Sequence, residues 1–239
     1  MSTLKVNTQS LIEHSKKMHK SDYPFVIDNF IENVDCIMSV ADLEFCLNNP
    51  NYPGYILHQE KGKIVSDDGE WNVHPNVKER FDALRDGHGI SLMGYGEHSK
   101  ETNDLMGVFE QIFDVNAKLY LQVNFNSTEV GFGLHADDRD MMGIFIVQIE
   151  GYTDWKVFKN RQSGLYAQDR RYDEISESDL EIDLYHRLLP GQLLYIPHRT
   201  FHLAKPSSRR VSLSIPCLAR NRNSLPDHDR NFYKLNVGV

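Results

Sequence analysis

Cysteine is scarce in this chain, with three in 239 residues. Cys36, Cys46 and Cys217 are an odd set with no metal-type spacing, so neither a disulfide framework nor a thiolate zinc site is expected, and a reduced, cytoplasmic setting is predicted. Long apolar runs are missing too. No stretch approaches the ~18 residues of a membrane helix, and the polar start Met1-Ser-Thr-Leu-Lys-Val-Asn offers no signal peptide, so no membrane contact is expected. Positive charge is in deficit, 26 Lys+Arg against 34 Asp+Glu for a net charge of −8. That argues against broad, charge-driven nucleic-acid binding, leaving only local patches such as Arg209-Arg210 or Arg220 to Arg222. No internal repeat, low-complexity tract or nucleophile elbow is present.

What remains is an ordinary globular composition, 40% apolar and 25% charged, long enough for one sizeable core. A single domain over residues 1–239 is predicted, with N-terminal helices and flanking strands in 1–115, a β-rich core in 116–218 and a tail in 219–239. Apolar spacing predicts helices over residues 33–47, 75–84 and from Thr102 to about residue 113. Strands are predicted over 24–31, 55–65 and 90–93. From residue 119 the period changes: Leu119, Leu121, Val123 and Phe125 alternate with Tyr120, Gln122, Asn124 and Asn126, whose polar face lines either solvent or a barrel. Residues 144–149 and 154–158 read as a hairpin across Glu150-Gly151. Residues 159–187 read as a long polar loop with one helical piece near 176–184, followed by strands over 192–196 and 210–215. Helices first, then short strands, give an α+β fold with a β-rich core of jelly-roll type.

The chemistry-bearing stretch is Gly131-Phe-Gly-Leu-His-Ala-Asp137. His135 and Asp137 are two apart, so on extended backbone both side chains leave one face. A second imidazole enters from Leu189-Pro-Gly-Gln-Leu-Leu-Tyr-Ile-Pro-His-Arg-Thr-Phe-His-Leu-Ala204, where His202 follows a tight turn and His198 competes with it. Two imidazoles and one carboxylate form the facial set of non-haem Fe(II) oxygenases, which leaves three metal positions open. Alternation directs Asp138 to the other face, and Asp138 and Asp140 read as outer or loop carboxylates. On the last strand Arg210, Ser212 and Ser214 share one face, opposite Val211, Leu213 and Ile215.

Together with Gln148-Ile-Glu-Gly-Tyr-Thr-Asp-Trp155, these motifs resemble the JmjC/cupin-type 2-oxoglutarate oxygenases, in particular their ribosomal-oxygenase-like branch, over roughly residues 24–216. The resemblance implies a double-stranded β-helix in which His135, Asp137 and His202 hold Fe(II), with 2-oxoglutarate and O2 as co-substrates. Relatives place a Lys or Arg just after the Glu-Gly pair to bind the distal carboxylate of 2-oxoglutarate. Here Thr153 stands at that position, and Arg210 with Ser212 resembles the Arg-X-Ser pattern of other 2-oxoglutarate oxygenases. Lys156 is the second choice for that cation, and Asn124 and Tyr120 are candidates for lining the co-substrate pocket.

An Asp rather than a small residue at 137 argues against halogenation and for hydroxylation. The resemblance also implies a C-terminal winged-helix extension that the sequence does not show. The expected substrate is therefore a small molecule or a peptide or protein side chain, and the expected state a monomer or homodimer. A non-catalytic metal-binding cupin and a 2-oxoglutarate-independent cupin enzyme are the alternatives.

Overall fold

The structure is a computed structural model that describes residues 4–18, 22–60, 63–65, 75–125, 133–137, 141–162, 175–207 and 209–220. Its frame is set by four apolar strands, β7 (Met141–Glu150), β10 (Leu193–Pro197), β12 (Arg209–Ala219) and β6 (Tyr120–Phe125). They lie side by side in the order β10-β7-β12-β6, all antiparallel. The N-terminal half extends both ends of this sheet. β1 (Phe25–Ile27) pairs with β10, while β4 (Gly89–Leu92), β2 (Gly54–Glu60) and β3 (Lys63–Val65) continue outward from β6. A short β5 (Val115–Ala117) pairs with the end of β12. A second sheet has the order β11-β8-β9, formed by β11 (Thr200–Pro206), β8 (Thr153–Arg161) and β9 (Ile182–Leu188). His135 adds a single bridge to His202 at its β11 edge.

From β7 onward the chain passes back and forth between the sheets, with β8 and β9 as paired neighbours in the small one, which makes the double-stranded β-helix. Residues 144–158 are therefore not the hairpin expected from the sequence. β7 and β8 belong to different sheets, and the chain crosses between them at Gly151, whose φ is +70°. A Cβ there would run into the Arg209 carbonyl, so the position needs glycine for space as well as for conformation. A later crossing, between β10 and β11, is made at Arg199, with φ 58°.

Two layers of core follow from period-two alternation. One face of the large sheet, including Leu121, Phe145, Val147, Tyr195, Leu213 and Ile215, packs with Phe30, Ile37 and Phe109 of the N-terminal region. The other face puts Ile144, Ile146, Leu194 and Ile196 against Trp155, Val157, Leu188 and Ala204 of the small sheet.

The helices are α1 (Thr8–Met18), α2 (Val40–Asn48), α3 (Val77–Arg85) and α4 (Lys100–Phe113). Three of them begin at capping boxes, Ser39/Asp42, Asn76/Glu79 and Ser99/Thr102. These caps correct two predicted bounds. The Ser39 cap splits 33–47 into a 3-10 turn and α2, and Thr102 is the third residue of α4 rather than its start, because Ser99 supplies the cap oxygen. The predicted loop over 159–187 is also partly strand: β8 runs to Arg161, and Ile182–Leu188 is β9. The helical piece near 176–184 reduces to a 3-10 turn at Glu177–Asp179. Of the predicted tail over 219–239, residues 221–239 lie outside the described residues. No helix among the described residues is long and apolar enough to cross a membrane.

Candidate metal centre

His135 and His202 are held by a pair of backbone hydrogen bonds: His135 N donates to the His202 carbonyl at 3.1 Å, and His202 N to the His135 carbonyl at 2.8 Å. The two segments thus present their imidazoles side by side, ring centres 4.2 Å apart. Extended backbone then returns Asp137 to the same face. Its Oδ1 lies 3.7 Å from His135 Nε2 and its Oδ2 3.4 Å from His202 Nε2. One ligand atom from each residue falls within 4.8 Å of the others, a spacing that could hold a metal ion. His198, the competing histidine, lies in the turn and outside this cluster, and Asp138 and Asp140 lie outside the described residues.

Both imidazoles are set for ligation. His135 Nδ1 lies 2.7 Å from the Gly133 carbonyl and His202 Nδ1 2.9 Å from the Thr200 carbonyl. A carbonyl only accepts, so each Nδ1 carries the proton and each Nε2 keeps its lone pair toward the shared point. Burial, reinforced by neighbouring His202, pulls the His135 pKa down to about 4, so the ring is neutral at ordinary pH. Two neutral imidazoles and one carboxylate suit a borderline divalent ion such as Fe(II), and three ligands leave coordination positions open.

The inner face of the large sheet supplies the second half of the site. Arg210 sits opposite Asn124, Ser212 opposite Gln122 and Ser214 opposite Tyr120. Arg210 is 2% exposed, and its Nη2 donates to Gln122 Oε1 at 2.8 Å. No carboxylate among the described residues offsets the burial that pulls its pKa down to about 10. Arg210 Nε and Ser212 Oγ are buried with no hydrogen-bond partner among the described residues. Asn124 is buried and donates to the Ser207 carbonyl at 3.2 Å, whereas Tyr120 is half-buried.

Thr153 is buried, and its Oγ1 donates to Gln148 Oε1 at 3.1 Å. Lys156, the second-choice cation, is corrected: alternation on β8 puts Thr153, Trp155 and Val157 inward and Lys156 outward, where it pairs with Glu177. Sequence reasoning also missed Tyr55, Ser91 and Gln148. They belong to a cross-strand row, Tyr55–Ser91–Gln122–Ser212–Gln148. The signal was present only as polar residues at alternate positions, a pattern a solvated strand also shows.

Comparison with known proteins agrees with this architecture. A family model described as the JmjC domain matches residues 96–225. No curated protein sequence matches the chain significantly. Among solved structures, YcfD, a ribosomal oxygenase from Escherichia coli in complex with cobalt and succinic acid, superposes with a TM-score of 0.64 at 19% identity, covering 93% of this chain and 54% of that one. The same protein with cobalt and 2-oxoglutarate gives a TM-score of 0.61 at 18% identity, covering 92% and 53%. The chain thus spans about half the length of these structures, and at such identity the likeness shows the fold. The family match takes in more than half of the 239 residues, and the chain belongs to the JmjC domain family.

Proposed function

We propose that this protein is an Fe(II)- and 2-oxoglutarate-dependent oxygenase, a hydroxylase of a small molecule or of a protein side chain. His135, Asp137 and His202 hold the metal in this reading. When bound, Fe(II) supplies the redox chemistry that couples O2 and decarboxylation of the 2-oxo acid to oxidation of a substrate C–H bond. The chain's own part is placement. Arg210 binds the distal carboxylate, Ser212 donates beside it, and Gln122 fixes the guanidinium. Asn124 and Tyr120 complete the wall. Thr153 contributes shape and the Gln148 hydrogen bond rather than charge. The cobalt, 2-oxoglutarate and succinic acid complexes of the similar structures support this assignment.

The observation that carries the reading is Arg210. A guanidinium buried to 2% exposure with no acid beside it among the described residues is costly. A carboxylate ligand supplies the missing anion in charge-assisted, bidentate form.

Anaerobic titration of the Fe(II)-loaded protein with 2-oxoglutarate tests this, read by the weak visible metal-to-ligand charge-transfer band. Wild type is expected to develop the band. Arg210→Ala is expected to bind Fe(II) normally but 2-oxoglutarate at least about a hundredfold more weakly. Tight Fe(II) binding with no band in the wild type overturns the reading in favour of a metal-binding cupin. A band of equal strength in both proteins removes Arg210 from its role.

A further inference from the structure

The pairing of β11 with β8 is regular from His202 to Pro206 and breaks just before it. Thr200 stands opposite Arg161 and His202 opposite Val157, so two steps along β11 span four along β8. The break falls where His202 is oriented, because the Thr200 carbonyl accepts from His202 Nδ1. Thr200 also follows Arg199, whose φ of 58° is unfavourable for a residue that carries a Cβ. Such a conformation persists only where its surroundings hold it. Part of that hold is local: Gln162 N donates to the Arg199 carbonyl at 2.8 Å, and Arg199 Nη1 to the Gln162 carbonyl at 2.9 Å.

The rest converges on Asp22, which precedes β1 and lies far outside the family match over residues 96–225. Its side chain is 2% exposed. Arg161 Nη1 donates to Asp22 Oδ2 at 3.0 Å, and Nη2 donates to the Asp22 carbonyl at 2.9 Å. The same Nη1 donates to the His198 carbonyl at 3.1 Å, in the turn itself. On the other carboxylate oxygen, the Tyr195 hydroxyl donates to Oδ1 at 2.9 Å. Tyr195 lies on β10, the strand that enters the turn, and Arg161 on β8, the strand that receives it. One buried carboxylate thus ties both flanks of the turn. Its charge-assisted, directed hydrogen bonds fix a geometry that apolar packing of the same volume does not.

We infer that Asp22 is a positioning residue for the metal centre: through Arg161 and Tyr195 it fixes the His198–Arg199 turn, and with it the Thr200 carbonyl that holds His202 Nδ1 and aims Nε2 at the metal. This rests on the assignment of a metal to His135, Asp137 and His202. Asp22 is not itself a ligand, so its effect lies in how well His202 is aimed. Partners that orient a metal-ligating histidine are worth about ten- to a hundredfold in metal affinity, and Asp22 acts from further out along the same path.

The test titrates the full chain with Co(II) in a calorimeter and records the visible Co(II) spectrum, which reports coordination geometry. Asp22→Asn keeps the shape and removes the charge. It is expected to raise the Co(II) Kd about tenfold and to change the spectrum. Arg161→Lys is gentler on the fold and carries the test should Asp22→Asn not fold. It keeps a cation for Asp22 but loses the fork that also reaches the His198 carbonyl, and a severalfold rise in Kd is expected. The control is Arg80→Met, at a buried arginine of α3 that bonds backbone carbonyls away from this turn. It is expected to lower stability and to leave the Co(II) Kd per folded molecule and the spectrum as in wild type. An Asp22→Asn or Arg161→Lys protein with wild-type Co(II) affinity and spectrum overturns the inference, whatever its Tm, and leaves the pair a purely structural one. An equal loss of affinity in Arg80→Met overturns it too, since any loss of stability would then reach the metal. Failure of the wild type itself to bind Co(II) removes both this inference and the metal assignment beneath it.

Discussion

Among the described residues Arg80, Arg199 and Arg210 are buried, and the partners of Arg80 and Arg210 set a structural role beside a proposed ligand-holding one. Arg80 on α3 is fully buried and uses its guanidinium on backbone carbonyls: Nη1 reaches Cys46 at 3.2 Å and Asn49 at 2.7 Å, and Nε reaches Pro75 at 3.1 Å. The last carbonyls of a helix have no partner within it, and Arg80 satisfies those at the end of α2. Arg80→Met keeps the apolar stem and removes every donor, leaving buried acceptors unpaired. A loss of about 3 kcal/mol or more is expected, read as a lower urea midpoint at unchanged m-value, with 2-oxoglutarate affinity per folded molecule unaltered. Arg210 should behave in the opposite way. With Gln122 as its one hydrogen-bond partner among the described residues, Arg210→Met is expected to cost the ligand-free fold little and the bound acid much. The same contrast explains what could be read from the residues alone. His135, Asp137 and His202 stand out as candidate ligands by type and spacing and Arg210 through the resemblance of its Arg-X-Ser pattern, whereas the inward direction of Gln122 is visible only once the strand register is known.

At the level of elements, β7 was legible because burial on both faces leaves a nearly continuous apolar run, and β12 because its apolar and polar residues alternate. β9 was not. Ile182, Asp183, Tyr185 and Arg187 on it are all exposed, so the strand resembles loop, and it is held by pairing with β8 rather than by burial. Part of that pairing is ionic, with Arg187 Nε and Nη2 donating to Asp154 Oδ1 and Oδ2 at 2.7 and 2.8 Å. The hydrogen bond from Arg187 holds the Asp154 carboxyl below its ordinary range. A depressed carboxyl pKa contributes stability above the unfolded value, near 3.8, and loses it as pH falls through the lower folded value. Asp154→Asn should therefore lower stability at pH 7, by no more than about 1 kcal/mol for so exposed a pair. The difference from wild type should shrink in unfolding curves taken near pH 3. The crossover that the sequence disguised as a hairpin offers a sharper test. At Gly151 a side chain meets both a positive φ and the Arg209 carbonyl, so Gly151→Ala is expected to cost more than the ~1 kcal/mol of the conformational term alone. Thermal unfolding would show it, and a Tm equal to wild type would mean that the chain crosses between the sheets by another route.

For the molecule as a whole, the question is whether the jelly roll stands by itself. The motifs that reveal the site all fall between 131 and 216, which suggests a self-sufficient barrel, but the packing points elsewhere. The outer face of the large sheet carries Leu121, Val123, Phe145, Val147, Leu213 and Ile215, each at most 1% exposed. What covers it includes α4 and the segment around β1, through Phe30, Ile37, Leu105 and Phe109. The Phe109 ring lies 4.8 Å from Phe145 in a tilted pair, and Phe25 stacks 5.0 Å from Tyr195. Stripping residues 4–95 removes β1, β2 and β4 from the sheet as well as half of that cover. It would also leave a contiguous apolar face far larger than soluble monomers tolerate. At ~1.5–3 kcal/mol for each large side chain returned to water, the loss from Phe30, Ile37, Ile90 and Leu92 alone matches the whole stability of a typical domain. A chain beginning at residue 96 is therefore expected to be insoluble or to unfold without a cooperative transition, even though it keeps every residue of the metal centre. A soluble 96–239 fragment that binds Co(II) with full-chain affinity would show that the N-terminal half is an accessory. In that case the strands that cover the barrel's outer face would be dispensable to the candidate metal centre inside it.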